Sequence, residues 1–464
     1  MRYLSTRGHD TGRSFTEVLL KGLADDGGLF LPETWPSLSR EQIDSFTGRP
    51  YAEVAQAVVA PFIGDEIPAD ILREMCKAAY RRFAHPATAP LTQVGPTDWL
   101  LELSHGPTLA FKDFAMLLLG QLFEHVLGEK NERLTIVGAT SGDTGAAAIE
   151  ALRGLANVNV FILHPEGRVS ETQRRMMTCV HEANIHNIAV QGTFDDCQAL
   201  VKEMFADETF RAEIGMGAIN SINWARIMAQ AVYYFTSATS LGGPARAFSY
   251  VVPTGNFGDI FAGYVAKRMG LPMDVLCVAT NANDILVRTL DAGTYLPQET
   301  VRTVSPSMDI QVSSNFERLI SEALGRDSGA VAHLMRDLKQ TGAFTLSDNI
   351  LASIREEFAA YAASEPECES MMGRVCDLTG RLIDPHTAVG LVAAEKARAS
   401  GRISGPAVTL STAHPAKFPD AVEAATGKRP ELPAGLQDLF EREERFSVLP
   451  NDLAIMKQHI LSAS

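Results

Sequence analysis

Short apolar runs alternate with amphipathic stretches through most of this chain. The apolar runs predict β-strands at residues 135–137, 158–163, 187–190, 248–252, 275–279 and 408–411. Between them, apolar residues at helical spacing predict helices at residues 146–152, 171–182, 196–205, 224–240, 258–269 and 387–400. Because strands and helices take turns, the pattern predicts an α/β fold whose parallel sheets carry helices on both faces.

Two regions depart from this alternation. Residues 3–90 are mostly helical in pattern, with Pro and Gly breaks, and indicate an N-terminal domain. Residues 318–363 are helix-rich and charged, which indicates an insertion or cover with a solvated outer face.

Composition narrows the class of protein. A chain of 464 residues is too long for one compact core, so two or three domains are expected. The net charge of −15 argues against nucleic acid as a partner. The six cysteines show no CxxC or His-paired spacing, which is typical of reduced thiols in a cytoplasm and not of a metal site. No apolar stretch is long enough for a membrane helix, so a membrane partner is not expected, and nothing specifies an oligomeric state.

Lys112 lies in the segment HGPTLAFKDFAM, between an aromatic ring and an aspartate. An ammonium group is costly to bury, so a lysine in apolar company is either the cation of a buried pair or an amine with a lowered pKa. Such an amine can form a Schiff base. The alternative is a surface Lys–Asp pair at the start of a helix.

Two glycine-rich turns each follow a predicted strand and precede a predicted helix. They occur in VGATSGDTGAAAI, from residue 137, and in YVVPTGNFGDIFAGY, from residue 250. The helix N-terminus behind each turn offers unpaired N–H groups and a positive dipole end, which suit a carboxylate or phosphate. Neither has the spacing of a Walker or dinucleotide loop. Together with an apolar lysine, they indicate a bound group with an aldehyde at one end and a phosphate at the other.

Four segments in this order, HGPTLAFKDFAM, TSGDTGAAA, NSINWARI and PTGNFGD, resemble the threonine synthase family. The family uses pyridoxal 5'-phosphate and has the fold-type II, tryptophan-synthase-β-like architecture. The opening segments YLSTRG and GLADDGGLFLPE are similar to its longer bacterial and fungal branch. The resemblance runs from Tyr3 to at least Phe418.

The resemblance implies two parallel-sheet domains with flanking helices, plus a helical N-terminal domain. The expected division, by residue number, is an N-terminal domain at 1–94, a large cofactor-binding domain at 95–112 and 223–425 with a helical insertion at about 318–363, a small inserted α/β domain at 113–222, and a C-terminal tail at 426–464.

The resemblance also implies roles at the cofactor. Lys112 would hold pyridoxal phosphate as a Schiff base and then act as the acid and base at the substrate. The residues expected to bind the cofactor phosphate are Thr254, Gly255, Asn256, Phe257 and Gly258. The Thr412 hydroxyl would lie against the pyridine nitrogen. Asp143 departs from the wider fold group, where Asn is usual, and is expected to contact the cofactor.

Further residues are expected to bind the substrate. Those implied for its carboxylate are Thr140, Ser141, Gly142 and Thr144. Those implied for its phosphate are Asn220, Ser221 and Arg226, and the alternative for Arg226 is a helical arginine that faces water. His414 and Lys417 are further candidate anion contacts.

The expected reaction is the last step of threonine biosynthesis, in which O-phospho-L-homoserine and water give L-threonine and phosphate. Two alternatives stay open at this point. A related phospholyase would release a keto acid, ammonia and phosphate from the same substrate, and a non-catalytic relative would only bind a phosphometabolite.

Overall fold

Strands and helices alternate along the chain as the apolar pattern predicted. The structure is a computed structural model that describes residues 1–140, 142–217 and 221–463. The strands in chain order are β1 Tyr3–Ser5, β2 Thr11–Arg13, β3 Phe30–Pro32, β4 Leu91–Gln93, β5 Asp98–Glu102, β6 Leu134–Ala139, β7 Val158–Pro165, β8 Ile185–Gln191, β9 Met216–Gly217, β10 Phe248–Pro253, β11 Met273–Thr280, β12 Thr294–Tyr295, β13 Phe344–Thr345, β14 Phe358–Ala362, β15 Ala407–Ser411 and β16 Ser447–Pro450.

The α-helices in chain order are α1 Phe15–Lys21, α2 Arg40–Asp44, α3 Tyr51–Ile63, α4 Ala69–Tyr80, α5 Lys112–Lys130, α6 Asp143–Leu152, α7 Glu171–Thr178, α8 Phe194–Ala206, α9 Glu208–Glu213, α10 Trp224–Ser240, α11 Gly258–Arg268, α12 Ile285–Ala292, α13 Phe316–Ala323, α14 Ser328–Thr341, α15 Asp348–Glu357, α16 Glu365–Thr379, α17 Pro385–Ala399, α18 Pro419–Thr426 and α19 Leu453–Ala463.

The chain divides into two compact units, each with its own sheet. Unit 1 contains Met1–His105 and Ser221–Pro430, and unit 2 contains Gly106–Asn220 and Glu431–Ser464. The fold class with two parallel-sheet domains is therefore confirmed. Residues 1–94 lie within unit 1, where they contribute β1–β4 and α1–α4.

Unit 1 is built on a six-stranded sheet with the order β14-β11-β10-β15-β5-β4. Neighbouring strands pair in parallel except β4, which pairs antiparallel with β5. The edge strand β14 lies inside the segment 318–363, which the sequence indicated as a helical insertion. That segment is helical except for β13 and β14, so it contributes to the sheet as well as covering it.

Unit 2 is built on a five-stranded sheet with the order β16-β8-β7-β6-β9, in which every pairing is parallel. Residues 426–464 were expected to form a separate tail. Instead, β16 adds a strand beside β8, and Met456 and Ile460 of α19 join the apolar core of this unit. The ion pairs of Glu444 with Arg174 and Arg175 hold the same segment against α7.

Among the residues that the structure describes, no helix combines the length and apolar character needed to cross a bilayer. The long helix α5 is buried along most of its length, but it contains the charged residues Lys112, Asp113 and Lys130.

A partly buried carboxylate, Glu102, lies at the end of β5, shortly before the HGPT turn. Glu102 accepts hydrogen bonds from Thr92 and from Arg381 Nη1 (3.0 Å), and its Oε2 is 2.8 Å from His105 Nε2. Burial alone would raise the pKa of the Glu102 carboxyl, but these hydrogen bonds and the nearby charges lower it to about 2. The ionised carboxylate therefore stabilises this part of unit 1.

We predict that Glu102→Gln destabilises the protein at neutral pH and much less in acid. The folded pKa of about 2 lies below the ordinary value of about 4.3 for an unfolded chain. The stabilisation is therefore complete above pH ~4.3 and is lost as the pH falls toward 2. At pH ~7 the loss should be up to about 3 kcal/mol, since each pKa unit corresponds to about 1.36 kcal/mol.

Urea-unfolding midpoints of both proteins between pH ~7 and ~3 test this prediction. Glu132→Gln is the matched control, because Glu132 is an exposed carboxylate. A difference between Glu102→Gln and wild type that stays constant across this range would contradict it.

Candidate active site

Lys112 is buried at the first position of α5, where only 9% of its surface is exposed. Its Nζ lies 4.9 Å from the centre of the Phe111 ring. The neighbouring Asp113 carboxylate turns to Thr108, accepting from its backbone N–H (2.8 Å) and its hydroxyl (2.6 Å). The alternative of a surface Lys–Asp pair is therefore wrong, and Lys112 is the buried amine that the segment suggested.

The ammonium of Lys112 has a carboxylate beside it. Asp143 Oδ2 is 3.5 Å from Lys112 Nζ, and Asp143 Oδ1 accepts a hydrogen bond of 2.9 Å from Gln173 Nε2. Asp143 is only 6% exposed and opens α6, where the dipole of the helix favours a negative charge. Sequence reasoning missed Gln173, because α7 carries it and only the fold brings α7 beside α6.

The turn before α6 depends on Thr140 and Gly142. Thr140 Oγ1 accepts from the N–H groups of Gly142 and Gly145, at 3.0 Å each. Gly142 has φ +143°, and a Cβ there would lie 2.7 Å from Gln173 Cδ. The oxygen of Thr140 thus holds the turn together, while Thr144 is partly exposed. Ser141 lies outside the described residues.

The second glycine-rich turn joins β10 to α11 in unit 1. Thr254 Oγ1 donates to Val252 O (2.6 Å), and Ser313 Oγ donates to Gly255 O (2.7 Å). A Cβ on Gly255 would lie 2.8 Å from Ser307 O, so a side chain does not fit there. Phe257 has φ +63° and is held by packing against Phe316 and Phe358.

The helix behind this turn has an N-terminus without a side-chain cap. Phe257 occupies the capping position of α11, and its side chain makes no capping hydrogen bond. The Asp259 carboxylate, which could otherwise serve, accepts from the hydroxyls of Tyr233 and Tyr234. The first N–H groups of α11 are therefore suited to an anion.

Thr412 follows directly after β15 and is 5% exposed. The preceding Ser411 Oγ accepts a 3.0 Å hydrogen bond from the Thr387 hydroxyl, and the Asp384 side chain caps α17 at His386 and Thr387. These contacts fix the end of β15 and with it the backbone of Thr412.

Arg226 lies in the first turn of α10 and is 3% exposed. Burial lowers the pKa of its guanidinium to about 10, so the group is still a cation at neutral pH. Its Nε and Nη1 atoms are buried and have no hydrogen-bond partner among the described residues. The alternative of an arginine that faces water is therefore wrong. An unpaired buried cation indicates an anionic ligand, since it is costly without one.

Ser221 lies just before α10 and is partly buried. Its carbonyl oxygen accepts from Asn315 Nδ2 (3.1 Å) and lies 3.6 Å from the position that a Cβ on Gly258 would occupy. The segment with Ser221 and the turn at Gly258 therefore approach each other within unit 1. Asn220 lies outside the described residues.

His414 and Lys417 differ in what they offer an anion. Burial lowers the pKa of the His414 ring to about 4, so the ring is neutral at pH ~7. Its Nδ1 accepts from the Ala416 N–H (3.2 Å), which leaves only Nε2–H to donate. Lys417 is 1% exposed.

The residues present fit pyridoxal phosphate on three observations. Lys112 is a buried amine able to bond an aldehyde, and the uncapped N-terminus of α11 follows a Gly255 position that excludes a side chain. The orphaned nitrogens of Arg226 provide for a second anion. These features match a cofactor with an aldehyde and a phosphate, together with a phosphorylated substrate.

Known protein families and relatives match this chain along most of its length. The chain matches the family models "Threonine synthase N terminus" over residues 2–80, "Pyridoxal-phosphate dependent enzyme" over residues 86–413 and "Threonine synthase, C-terminal" over residues 387–460. It is 52% identical to the threonine synthase of Pseudomonas aeruginosa, over 98% of this chain and 97% of that protein.

Two solved structures are similar over their whole length. The pyridoxal-phosphate-bound threonine synthase of Brucella melitensis has a TM-score of 0.98 at 53% identity, with 100% of this chain and 99% of that chain covered. The yeast threonine synthase has a TM-score of 0.94 at 39% identity, with 100% and 98% covered.

We predict that alanine is tolerated at Gly258 and not at Gly255. The Cβ of Gly255→Ala would meet the backbone oxygen of Ser307 at 2.8 Å, whereas the nearest atom to a Cβ at position 258 is Asn315 Nδ2 at 3.4 Å. Overpacking of this kind costs about 1–3 kcal/mol. Urea unfolding of the cofactor-free protein should show that loss for Gly255→Ala and almost none for Gly258→Ala. Equal losses would contradict the geometry of the turn.

Proposed function

This chain belongs to the threonine synthase family, and we propose that it converts O-phospho-L-homoserine and water to L-threonine and phosphate. It is a pyridoxal-phosphate-dependent lyase of amino-acid biosynthesis. The observation that carries the proposed substrate is Arg226, a buried guanidinium whose Nε and Nη1 have no partner among the described residues. A phosphorylated substrate supplies the anion that this cation lacks.

Bound pyridoxal phosphate supplies an electron sink that stabilises negative charge at the substrate Cα. Lys112 is the residue we propose to bond the cofactor covalently and, once released by the substrate amine, to move protons at Cα and Cβ. The amine that such proton transfer needs is buried, so little water surrounds it. Asp143, 3.5 Å away, can stabilise the ammonium form at the stage when Lys112 holds a proton.

The turn at residues 140–144 is proposed to bind the substrate carboxylate through its N–H groups and the Thr144 hydroxyl. A carboxylate at Asp143 would repel an incoming anion, but Gln173 donates to its Oδ1 and Lys112 lies beside its Oδ2. These partners offset the negative charge of Asp143. We assign Asp143 to contact the cofactor. Ser141 is retained in this proposal on the resemblance alone.

Arg226, Ser221 and Asn220 are proposed to bind the phosphate that leaves from Cγ. A guanidinium fork with hydroxyl and amide donors suits a phosphate dianion, and its interaction strengthens as charge develops on the leaving group. The Gly255–Gly258 turn with Thr254 is proposed to bind the cofactor phosphate. Thr412 is proposed to face the pyridine nitrogen, where a hydroxyl does not force protonation as a carboxylate would.

The cytoplasm is the location we propose. Its support is the set of free cysteines, most of them buried, among the described residues. Burial raises the pKa of the thiols of Cys76, Cys277 and Cys368 to about 12, which keeps them protonated and unreactive.

We predict that Lys112→Ala abolishes turnover and leaves a folded protein. Covalent attachment and proton transfer depend on the same amine, so kcat should fall by several orders of magnitude. The visible absorbance band of the lysine-linked cofactor should disappear at the same time. Lys130→Ala, at the exposed end of the same helix, is the control and should keep both properties.

Product analysis of the wild-type protein completes that experiment. L-threonine and phosphate are expected from O-phospho-L-homoserine, and a keto acid with ammonia would instead support a phospholyase. Retention of a tenth of wild-type turnover in Lys112→Ala would exclude Lys112 as the catalytic amine.

We predict that Arg226→Met weakens catalysis and stabilises the cofactor-free protein. Loss of a charge-assisted fork removes about 2–4 kcal/mol of transition-state binding, so kcat/KM should fall by roughly two to three powers of ten. Removal of a buried unpaired charge should raise the urea-unfolding midpoint. Inorganic phosphate should protect the wild type against unfolding more than the variant.

Cofactor content and the absorbance band should be normal in Arg226→Met. Arg246→Met is the control, because Arg246 is an exposed arginine of the same unit, and it should change neither activity nor protection by phosphate. Loss of the cofactor from Arg226→Met would show that this arginine serves the other phosphate.

A further inference from the structure

Asn315 lies between the two segments assigned to phosphates and bonds to both. Its Nδ2 donates to Ser221 O (3.1 Å) and to Asn256 O (2.9 Å), and its backbone N–H donates to the same Asn256 O (3.1 Å). The residue is fully buried. One side-chain amide therefore joins the segment before α10 to the turn before α11.

Arg318, one turn further along the chain, holds Asn315 in place. Its Nη1 donates to Asn315 Oδ1, its Nη2 to Ile222 O (2.7 Å) and its Nε to Phe30 O (3.0 Å). The guanidinium carbon lies 5.7 Å from the Trp224 ring. Arg318 is fully buried, and although burial lowers the pKa of its guanidinium to about 9, it remains a cation at neutral pH.

On the two segments that they join, Asn315 and Arg318 bond to backbone carbonyl groups only. Ser221, Ile222 and Asn256 each turn a carbonyl oxygen toward Asn315 or Arg318. The hydroxyl of Ser221 and the N–H groups at the start of α11 are not used in these bonds and can serve anions. The bonds thus set the position of each anion site without occupying it.

The distance between the turn before α11 and the Arg226 site decides which substrates can reach both the cofactor and Arg226. A phosphorylated amino acid must place its Cα at the cofactor while its phosphate reaches Arg226. In O-phosphohomoserine the phosphorus is the fourth atom after Cα, and in O-phosphoserine it is the third. If the distance between the two segments is fixed, the site discriminates between these chain lengths. If the distance varies, it does not.

We propose that Asn315 and Arg318, here called the Asn315–Arg318 brace, fix the separation of the two phosphate-binding segments and so select the chain length of the substrate. The proposal rests on the proposed function, because it takes Gly255–Gly258 and Ser221 with Arg226 to be those segments. Both members are positioning residues, since Asn315 acts through Ser221 and Asn256, and Arg318 acts through Ile222 and Asn315.

Binding of two phosphonates to the cofactor-loaded enzyme tests the proposal. L-2-amino-5-phosphonopentanoate has the atom spacing of O-phosphohomoserine, and L-2-amino-4-phosphonobutanoate is one atom shorter. Titration calorimetry gives both dissociation constants without turnover. Their ratio is the measured preference, and the wild type should favour the longer compound.

The variants are Arg318→Lys and Asn315→Ser, with Arg326→Lys as the matched control. Arg326 also donates to backbone carbonyls, those of Pro32 (2.8 Å) and Glu33 (2.7 Å), and lies over an indole ring at 5.4 Å. Unlike Arg318, Arg326 bonds to neither of the two phosphate-binding segments. A general loss of packing would affect the control and the Arg318 variant alike.

We expect Arg318→Lys and Asn315→Ser each to reduce the preference by about tenfold, which is the scale of one hydrogen bond that involves a charged group. Arg326→Lys should keep the wild-type preference, and cofactor content should stay normal in all three. A double-mutant cycle of Asn315→Ser with Arg226→Met should be non-additive for the longer phosphonate, because the brace acts through the Arg226 site.

An unchanged preference in both brace variants, measured on folded and loaded protein, would overturn the proposal. If Arg318→Lys does not fold, Asn315→Ser alone decides, because serine keeps a polar side chain at this position but is too short to bond both segments. A wild type that does not favour the longer phosphonate, or that releases no phosphate from O-phosphohomoserine, would refute the proposed substrate itself. That outcome is distinct from a failure of the brace.

Discussion

The burial of positive charge beside α10 is the constraint on which the site depends. Arg226 and Arg318 are both removed from water, and Arg226 Nε and Nη1 have no partner among the described residues. Such a group destabilises the protein until a ligand satisfies it. The same cost makes the site selective for anions, because a neutral ligand would leave the cation as it was. The buried guanidinium of Arg226 lowers stability and strengthens binding, a combination that is common at functional sites.

The N-terminal segment takes part in this burial. Tyr3 and Phe62 pack against Trp224, the first residue of α10, and Asn223 donates to Leu19 O at 2.9 Å. Phe30 offers its carbonyl oxygen to Arg318. Without these residues the start of α10 would lie in water, where a guanidinium is screened and binds an anion more weakly. The segment therefore serves the site through the environment of α10.

Sequence patterns predicted the elements well and marked candidate residues for the site. The helix predicted at 224–240 is α10, and the other predicted strands and helices differ from the observed ones by a few residues at their ends. The strand β14 was missed because its segment, FAAYA, lies among helical patterns and becomes a strand only beside β11. Lys112 and the glycine-rich turns were found because local chemistry marks them. Arg318 was not, because its partner Phe30 is 288 residues away and helical periodicity alone would place it in solvent.

The parallel pairing of β16 with β8 has a consequence for the order in which the chain can fold. Unit 2 takes strands from the middle of the chain and its last strand from near the C-terminus. While the ribosome is still adding residues, β8 is an edge strand with an open row of N–H and C=O groups, a template for pairing with another nascent chain. α7, which carries Gln173, likewise lacks its ion pair with Glu444 until that part of the chain has been made. The chain must therefore be synthesised as far as β16 before the sheet of unit 2 and the surroundings of α7 are complete.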